Sequence, residues 1–311
     1  MTFEIDIIRW LQNHRTDLLD QLFKIFTMFG EELIIIIILG GIYWTIDKHK
    51  GKRLAVLLFI SLGMNSLLKV IIRRPRPFQV DQRIINLRPQ TSQSYSMPSG
   101  HTQSAATLYF GIAYLFKKRL LWLIAITLIV LVGMSRMYIG VHYLSDVMIG
   151  ALLGFIFILI TNKLYKHYHQ SKQIYRALLV LSVLLFVLMI LINHLKGYRG
   201  EILYFELESL SKMLGALCGF SIGTLYEERY VQFQNHSTFY KNAMRLILGL
   251  IIVMGLRLGL KSIFSLIVNP NNIELNVFKS LFAVCLDFIR YAVIVFVGLG
   301  LYPKLFKFIS I

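Results

Sequence analysis

The stretch Met97–Phe116, MPSGHTQSAATLYFGIAYLF, decides how the chain is read. A polar turn holding a proline and a glycine passes into an apolar helix, so a histidine and backbone N–H groups face one small volume. Pro98 suits the first helical position, because its fixed φ fits a helix and its missing N–H would have had no partner there. Ser99 and Gly100 then fall in the first turn, where unpaired N–H groups and the positive end of the helix dipole favour phosphate. His101 adds a group that titrates near neutrality.

The rest of the chain places this turn at a membrane. Of 311 residues, 56% are hydrophobic and 16% charged, against ~25% charged in soluble domains. The net charge of +17 points to basic cytoplasmic loops and an anionic lipid or substrate. No basic run with interleaved aromatics supports nucleic acid. Cys218 and Cys285 lie in apolar segments and are expected as buried thiols. Met1 to Trp10 lacks a basic n-region and a cleavage site, so no removable signal peptide is expected.

From Phe3 to Phe26, Ile8, Leu11, Leu18, Leu19, Leu22 and Phe26 follow helical spacing, with charged residues interspersed. Residues 1–30 therefore read as an amphipathic helix in the membrane interface, or else as a packing helix at the protein's edge. Apolar stretches recur at Leu33–Ile46, Leu54–Ile72, Met97–Phe116, Leu120–Met134 and His142–Ile160. Four more follow at Ala177–Ile192, Leu207–Leu225, Leu246–Leu260 and Val277–Leu301. The predicted fold is all-α, a polytopic membrane bundle of about nine transmembrane helices. Residues 31–162 form a core of five spans, and 163–311 add a four-span region of unassigned role. Tyr43 and Trp44 are expected in the aromatic belt. Lys48, Lys50, Lys52 and Arg53, then Lys117, Lys118 and Arg119, then Lys163, Lys166, Lys172 and Arg176 all fall on one side. That side is read as cytoplasmic, which puts the loop Arg73–Ser96 outside.

Further polar groups gather around that outer side. Lys69 lies near the outer end of the second span, and Pro75 and Pro77 end the helix and hold Arg76 at the surface. Snorkelling or headgroup contact would also account for such cations. Ser135 and Arg136 precede His142, and if His142 begins a helix, Asp146 lies one turn on along the same face. An acid one turn inside an apolar span is a functional candidate by default.

Lys69-x6-Arg76-Pro77, Pro98-Ser99-Gly100-His101 and Ser135-Arg136-x5-His142-x3-Asp146 resemble the three signature motifs of the type 2 phosphatidic acid phosphatase superfamily, over residues 54 to 160. The resemblance makes residues 31–162 a catalytic phosphatase core. It implies that His142 attacks phosphorus and becomes a phosphohistidine, that Asp146 fixes its tautomer, and that His101 protonates the leaving oxygen and later activates water. Lys69, Arg76, Ser99, Gly100 and Arg136 would surround the phosphate oxygens. The motifs contain no carboxylate cage for a metal, so a metal-independent reaction without cofactor is expected.

The expected activity is hydrolysis of a lipid phosphate or polyprenyl pyrophosphate at the extracytoplasmic face of a bacterial cell membrane. Phosphotransfer to a second lipid, and a non-catalytic phospholipid-binding or transport protein, are the alternatives. The phosphorylated lipid and the bilayer are the partners. His49, His167, His169, His194 and His236 show no partner pattern and read as ordinary side chains. Asp287 and Arg290, with Arg257 from the neighbouring span, read as a structural clasp between the last two spans.

Overall fold

A computed structural model describes residues 2–168, 172–195, 201–235, 238–268 and 277–308, all helices and connecting turns, with no strand among them. His169 and His236 lie outside these residues. The chain divides into two compact units, one of Met1–Ile36 with Ile60–Leu164 and one of Ile37–Phe59 with Tyr165–Ile311. Residues 37–59, inside the range read as the core, thus belong to the second unit.

The first unit opens with α1 (Thr2–Asn13) and α2 (Asp17–Met28). The single helix expected over Phe3–Phe26 is broken because Thr16 is extended and its hydroxyl accepts from the Leu19 N–H at 3.2 Å, a side-chain cap that starts a new helix. Ile5 and Ile8 of α1 are buried against Ile84, Met137 and Tyr143, while Phe3 and Trp10 are exposed. The helix therefore packs on the protein by one face and leaves an apolar face outward. Next come the start of α3 (Glu32–Gly41), the end of α4 (Lys48–Ile72), the single turn α5 (Pro77–Val80), and α6 (Gly100–Phe116), α7 (Arg119–Tyr138) and α8 (Leu144–Tyr168).

Within a bilayer, apolar faces gain little by meeting each other, so small polar side chains hold helices together. Here α4 and α6 share such a seam. Ser61 Oγ lies 2.8 Å from Thr107 Oγ1, Asn65 donates to Gln103 Oε1 at 2.8 Å, and Gln103 donates to the Ser61 carbonyl at 2.8 Å. Gly140, at φ +83°, turns the chain from α7 back toward α8. A side chain there would also strike the Ile85 carbonyl at 2.5 Å.

Among the described residues, six helices are long and apolar enough to cross a membrane, or seven if the pair Asp17–Met28 and Glu32–Ile46, bent by 47°, counts as one span. The protein is an integral membrane protein, and the described helices do not confirm the count of about nine. Helix α6 has 17 residues, about 26 Å at 1.5 Å per residue, short of a ~30 Å hydrocarbon core. Leu207–Leu225 lies in α10, where Ser209, Ser211 and Lys212 dilute the apolar content. Leu33–Ile46 is the second arm of the bent pair.

The second unit holds α9 (Lys172–Leu195), α10 (Glu201–Tyr226), α11 (Phe239–Ile267) and α12 (Val277–Phe296). Tyr43 and Trp44 do not sit in an aromatic belt. Both are buried, with Tyr43 Oη donating to the Leu299 carbonyl at 2.8 Å and Trp44 Nε1 to that of Gly298 at 2.9 Å. Asp287 pairs with Arg290 at 2.7 Å, and the hydrogen bond that crosses to another helix comes from Tyr204 Oη on α10 at 2.9 Å. This hydrogen bond ties α12 to α10.

Helices α10 and α12 approach closely because Gly215 and Gly219, one turn apart, present no side chain. A Cβ on Gly215 would lie 2.2 Å from the Phe288 carbonyl oxygen, and one on Gly219 2.1 Å from that of Ala292. Gly219→Val should therefore cost ~1 to 3 kcal/mol and lower the melting temperature in detergent. Gly259→Val in α11, where a Cβ meets nothing within 4 Å, should leave it unchanged.

Candidate active site

The site lies in the first unit, at the end where α4 and α7 finish and α6 and α8 begin. The α6–α7 turn with Lys117, Lys118 and Arg119 is at the other end. Ser99 caps α6, and its hydroxyl lies 2.9 Å from Thr102 Oγ1. The helix itself starts at Gly100, so Pro98 stands two residues before it and not at the first helical position. The Ser99 N–H donates to the Asp146 carbonyl at 3.0 Å, which fastens the start of α6 to the start of α8.

His142 precedes α8 by two residues and does not begin it. The turn nevertheless sets the expected pairing. Nδ1 lies 3.3 Å from Asp146 Oδ2, and Nε2 lies 3.3 Å from the Arg76 guanidinium. Burial, then the positive side chains of Arg76, Lys69 and Arg136, push the His142 pKa well below its ordinary value. A neutral imidazole whose Nδ1–H faces a carboxylate carries its lone pair on Nε2, toward the cations.

Arg76 meets that nitrogen, Lys69 and Arg136 add their positive charge to its surroundings, and carbonyls and hydroxyls receive the three buried cations. Lys69 Nζ donates to the Tyr95 carbonyl at 2.5 Å. Arg76 donates to the carbonyls of Ser94 at 2.6 Å and Val141 at 2.8 Å. Arg136 donates to Thr27 Oγ1 at 2.8 Å and Thr91 Oγ1 at 3.3 Å. Arg136 Nε and His101 Nε2 are buried without a hydrogen-bond partner among the described residues. The nearest carboxylate oxygen to His101 Nε2 is Glu31 Oε1, at 3.8 Å. The structure thus gathers Lys69, Arg76, Arg136, His142 and Asp146 with Ser99, Gly100 and His101 at the start of α6.

Several groups here escaped the sequence reading. Asp146 accepts from Arg74 at 2.8 Å, from the Tyr143 N–H at 2.9 Å, and from Ser96 Oγ. Arg74 also binds Glu4 of α1 at 2.6 Å and stacks 3.8 Å over the Tyr143 ring. Its position in the run Arg73-Arg74-Pro75-Arg76 was the only available signal. Thr27 and Glu4, on α2 and α1, and Glu31, in the corner between α2 and α3, come from far away in sequence and carried none.

A family model described as "PAP2 superfamily" matches residues 50–170, and one described as "PAP2 superfamily phosphatase, transmembrane extension" matches residues 211–311. Sphingosine-1-phosphate phosphatase 1 of Mus musculus is 26% identical over 262 residues, covering 78% of this chain and 60% of that protein. Phosphatidylglycerophosphatase B of Bacillus subtilis is 32% identical over 133 residues, covering 40% of this chain and 62% of that protein. A crystal structure of a transmembrane PAP2 type phosphatidylglycerolphosphate phosphatase from Bacillus subtilis is 27% identical, covers 55% of this chain and 88% of that chain, and has a TM-score of 0.46. The matches to the two curated relatives thus span about three-fifths of their length.

Arg74 links two carboxylates, one of them fully buried, so replacing it leaves both without their cation. Arg74→Met should cost about 3 kcal/mol, read as a lower melting temperature. Arg83→Met, whose side chain is 71% exposed, should cost next to nothing.

Proposed function

Because the chain belongs to the PAP2 superfamily, we propose that it is a metal-independent phosphatase hydrolysing a lipid phosphate or diphosphate through a phosphohistidine. The observation that carries this reading is the orientation of His142, with Nδ1 toward Asp146 and Nε2 toward Arg76. The Nε2 lone pair attacks phosphorus, and the bond from phosphorus to the leaving oxygen breaks. Asp146 holds the Nδ1–H and stabilises the ring as it gains charge. His101 gives its proton to the leaving oxygen, then accepts one from the water that attacks the phosphoryl group on His142, and inorganic phosphate departs. Lys69, Arg76, Arg136, Ser99 and Gly100 receive the phosphate oxygens. Phosphoryl transfer is catalysed chiefly by positioning and charge stabilisation, so a cluster of cations already held in place suits it.

The proposed substrate class is supported by the relatives, named for sphingosine-1-phosphate, phosphatidylglycerophosphate and, in an archaeon, undecaprenyl diphosphate. Each is a phosphorylated lipid that lies in a bilayer with its phosphate at the surface. The extracytoplasmic face is supported by the basic α6–α7 turn at the end opposite the site. The isoleucine- and lysine-rich composition suits a bacterial cell membrane.

His142→Ala should lower turnover by more than about a thousandfold while the protein stays folded. Rapid quenching of the native enzyme with 32P-labelled lipid phosphate should trap acid-labile, alkali-stable label on His142, equally in EDTA. Label on another residue, or a need for magnesium, would overturn the mechanism.

Gln90 is exposed in the loop that carries Arg76 and Ser96. With Cys218 and Cys285 replaced, a cysteine at position 90 should react with a membrane-impermeant thiol reagent in intact cells. Reaction only after lysis would put the site on the cytoplasmic face.

A further inference from the structure

The corner between α2 and α3 adds a second carboxylate to the site, and it stands beside the second histidine. Two hydrogen bonds fasten this corner to α6. Ser104 Oγ donates to the Gly30 carbonyl at 2.6 Å, and Tyr109 Oη donates to the Phe29 carbonyl at 2.9 Å. Gly30 also lies against the His101 backbone, where a Cβ would come 2.5 Å from its carbonyl oxygen. Glu31, the next residue, is therefore carried on an anchored corner. Its Oε1 lies 3.8 Å from His101 Nε2 and forms an ion pair with Arg88. Nε2 is buried and has no hydrogen-bond partner among the described residues.

This arrangement repeats the one around His142. There a carboxylate faces one ring nitrogen and is itself held by an arginine, Asp146 by Arg74. Here Glu31 faces one ring nitrogen of His101 and is held by Arg88. We propose that Glu31 is a positioning residue for His101, orienting the imidazole and stabilising its protonated form so that the proton is held ready for the leaving oxygen. This rests on the reading of His101 as the general acid. Nε2–H then points at Glu31, and Nδ1 is the nitrogen that delivers the proton. Arg88 keeps Glu31 ionised, so the carboxylate stabilises the imidazolium and does not compete for its proton. Besides Glu31 and Arg88, the charged or titratable groups facing His101 are Arg136 of α7 and His142. Burial above all, and then Arg136 and Arg88, act against the protonated ring of His101, and Glu31 is what opposes them.

The test compares two substrates in detergent micelles, a long-chain alkyl phosphate with a poor leaving group and 4-nitrophenyl phosphate with a good one. His101→Ala is the control for the general-acid reading and should lose far more on the alkyl phosphate. Glu31→Gln should show the same pattern, milder. We expect kcat on the alkyl phosphate to fall roughly tenfold or more, a part of the 10²–10⁴ that a general acid contributes. On 4-nitrophenyl phosphate kcat should stay within about twofold, and Glu31→Asp should recover part of the loss. The alkaline limb of the alkyl phosphate profile should move down by about one pH unit, because an opposite charge no longer favours imidazolium. Should Glu31→Gln fail to fold because Arg88 is left unpaired, the same comparison is made between Arg88→Met and the Arg88→Met/Glu31→Gln double variant. If His101→Ala discriminates between leaving groups but loss of Glu31 costs both substrates equally, or neither, Glu31 is only a structural partner of Arg88 and the proposal is wrong. If His101→Ala itself costs both substrates equally, the general-acid reading falls first and takes the proposal with it.

Discussion

The site is built around one buried carboxylate. Asp146 is fully enclosed, and a charge so placed costs several kcal/mol unless its oxygens are met by donors. Arg74 from the loop after α4, Ser96 from just before α6, and the Tyr143 N–H from the entry to α8 all supply them, and His142 lies alongside. Each donor comes from a different segment, so satisfying the acid brings those segments to fixed places. The charge that orients His142 is thus also the reason the surrounding loops cannot drift.

The cations are treated differently, and the difference matters for chemistry. Lys69, Arg76 and Arg136 are buried too, yet their hydrogen bonds go to carbonyls, hydroxyls and, from Arg76, the His142 ring. These neutral partners accept N–H groups without cancelling the charge, and Arg136 Nε is left without a partner among the described residues. The structure supports a concentrated positive field at the cost of keeping it unneutralised, which is the form of preorganisation that a multiply charged anion rewards. Intramembrane charges that only served stability would be expected to pair, as Asp287 and Arg290 do.

What could be read from the chain follows from distance along it. Asp146 four residues from His142, and Arg76 seven from Lys69, lie near helix ends, where spacing converts directly into geometry. Arg74 lay in plain view but between two motif positions, and its role depends on Glu4, seventy residues away. Glu31 and Thr27 reach the site only because α2 and α3 bend against α6, a tertiary fact with no local signature. Tyr43 and Trp44 were misplaced because apolar composition does not separate side chains that face lipid from those enclosed by protein.

The seam between α4 and α6 also bears on how the protein is made. A helix carrying Thr102, Gln103, Ser104 and Thr107 is a poor candidate to enter lipid alone, because each of those side chains would forgo its partners there. Ser61 and Asn65, which meet Gln103 and Thr107, are synthesised some forty residues earlier. By the time α6 leaves the ribosome its complement is already in place, so insertion of α6 is a docking event as well as a partitioning one. The order of the helices along the chain then doubles as an assembly sequence, in which the segment bearing His101 enters the membrane against a surface that already fits it.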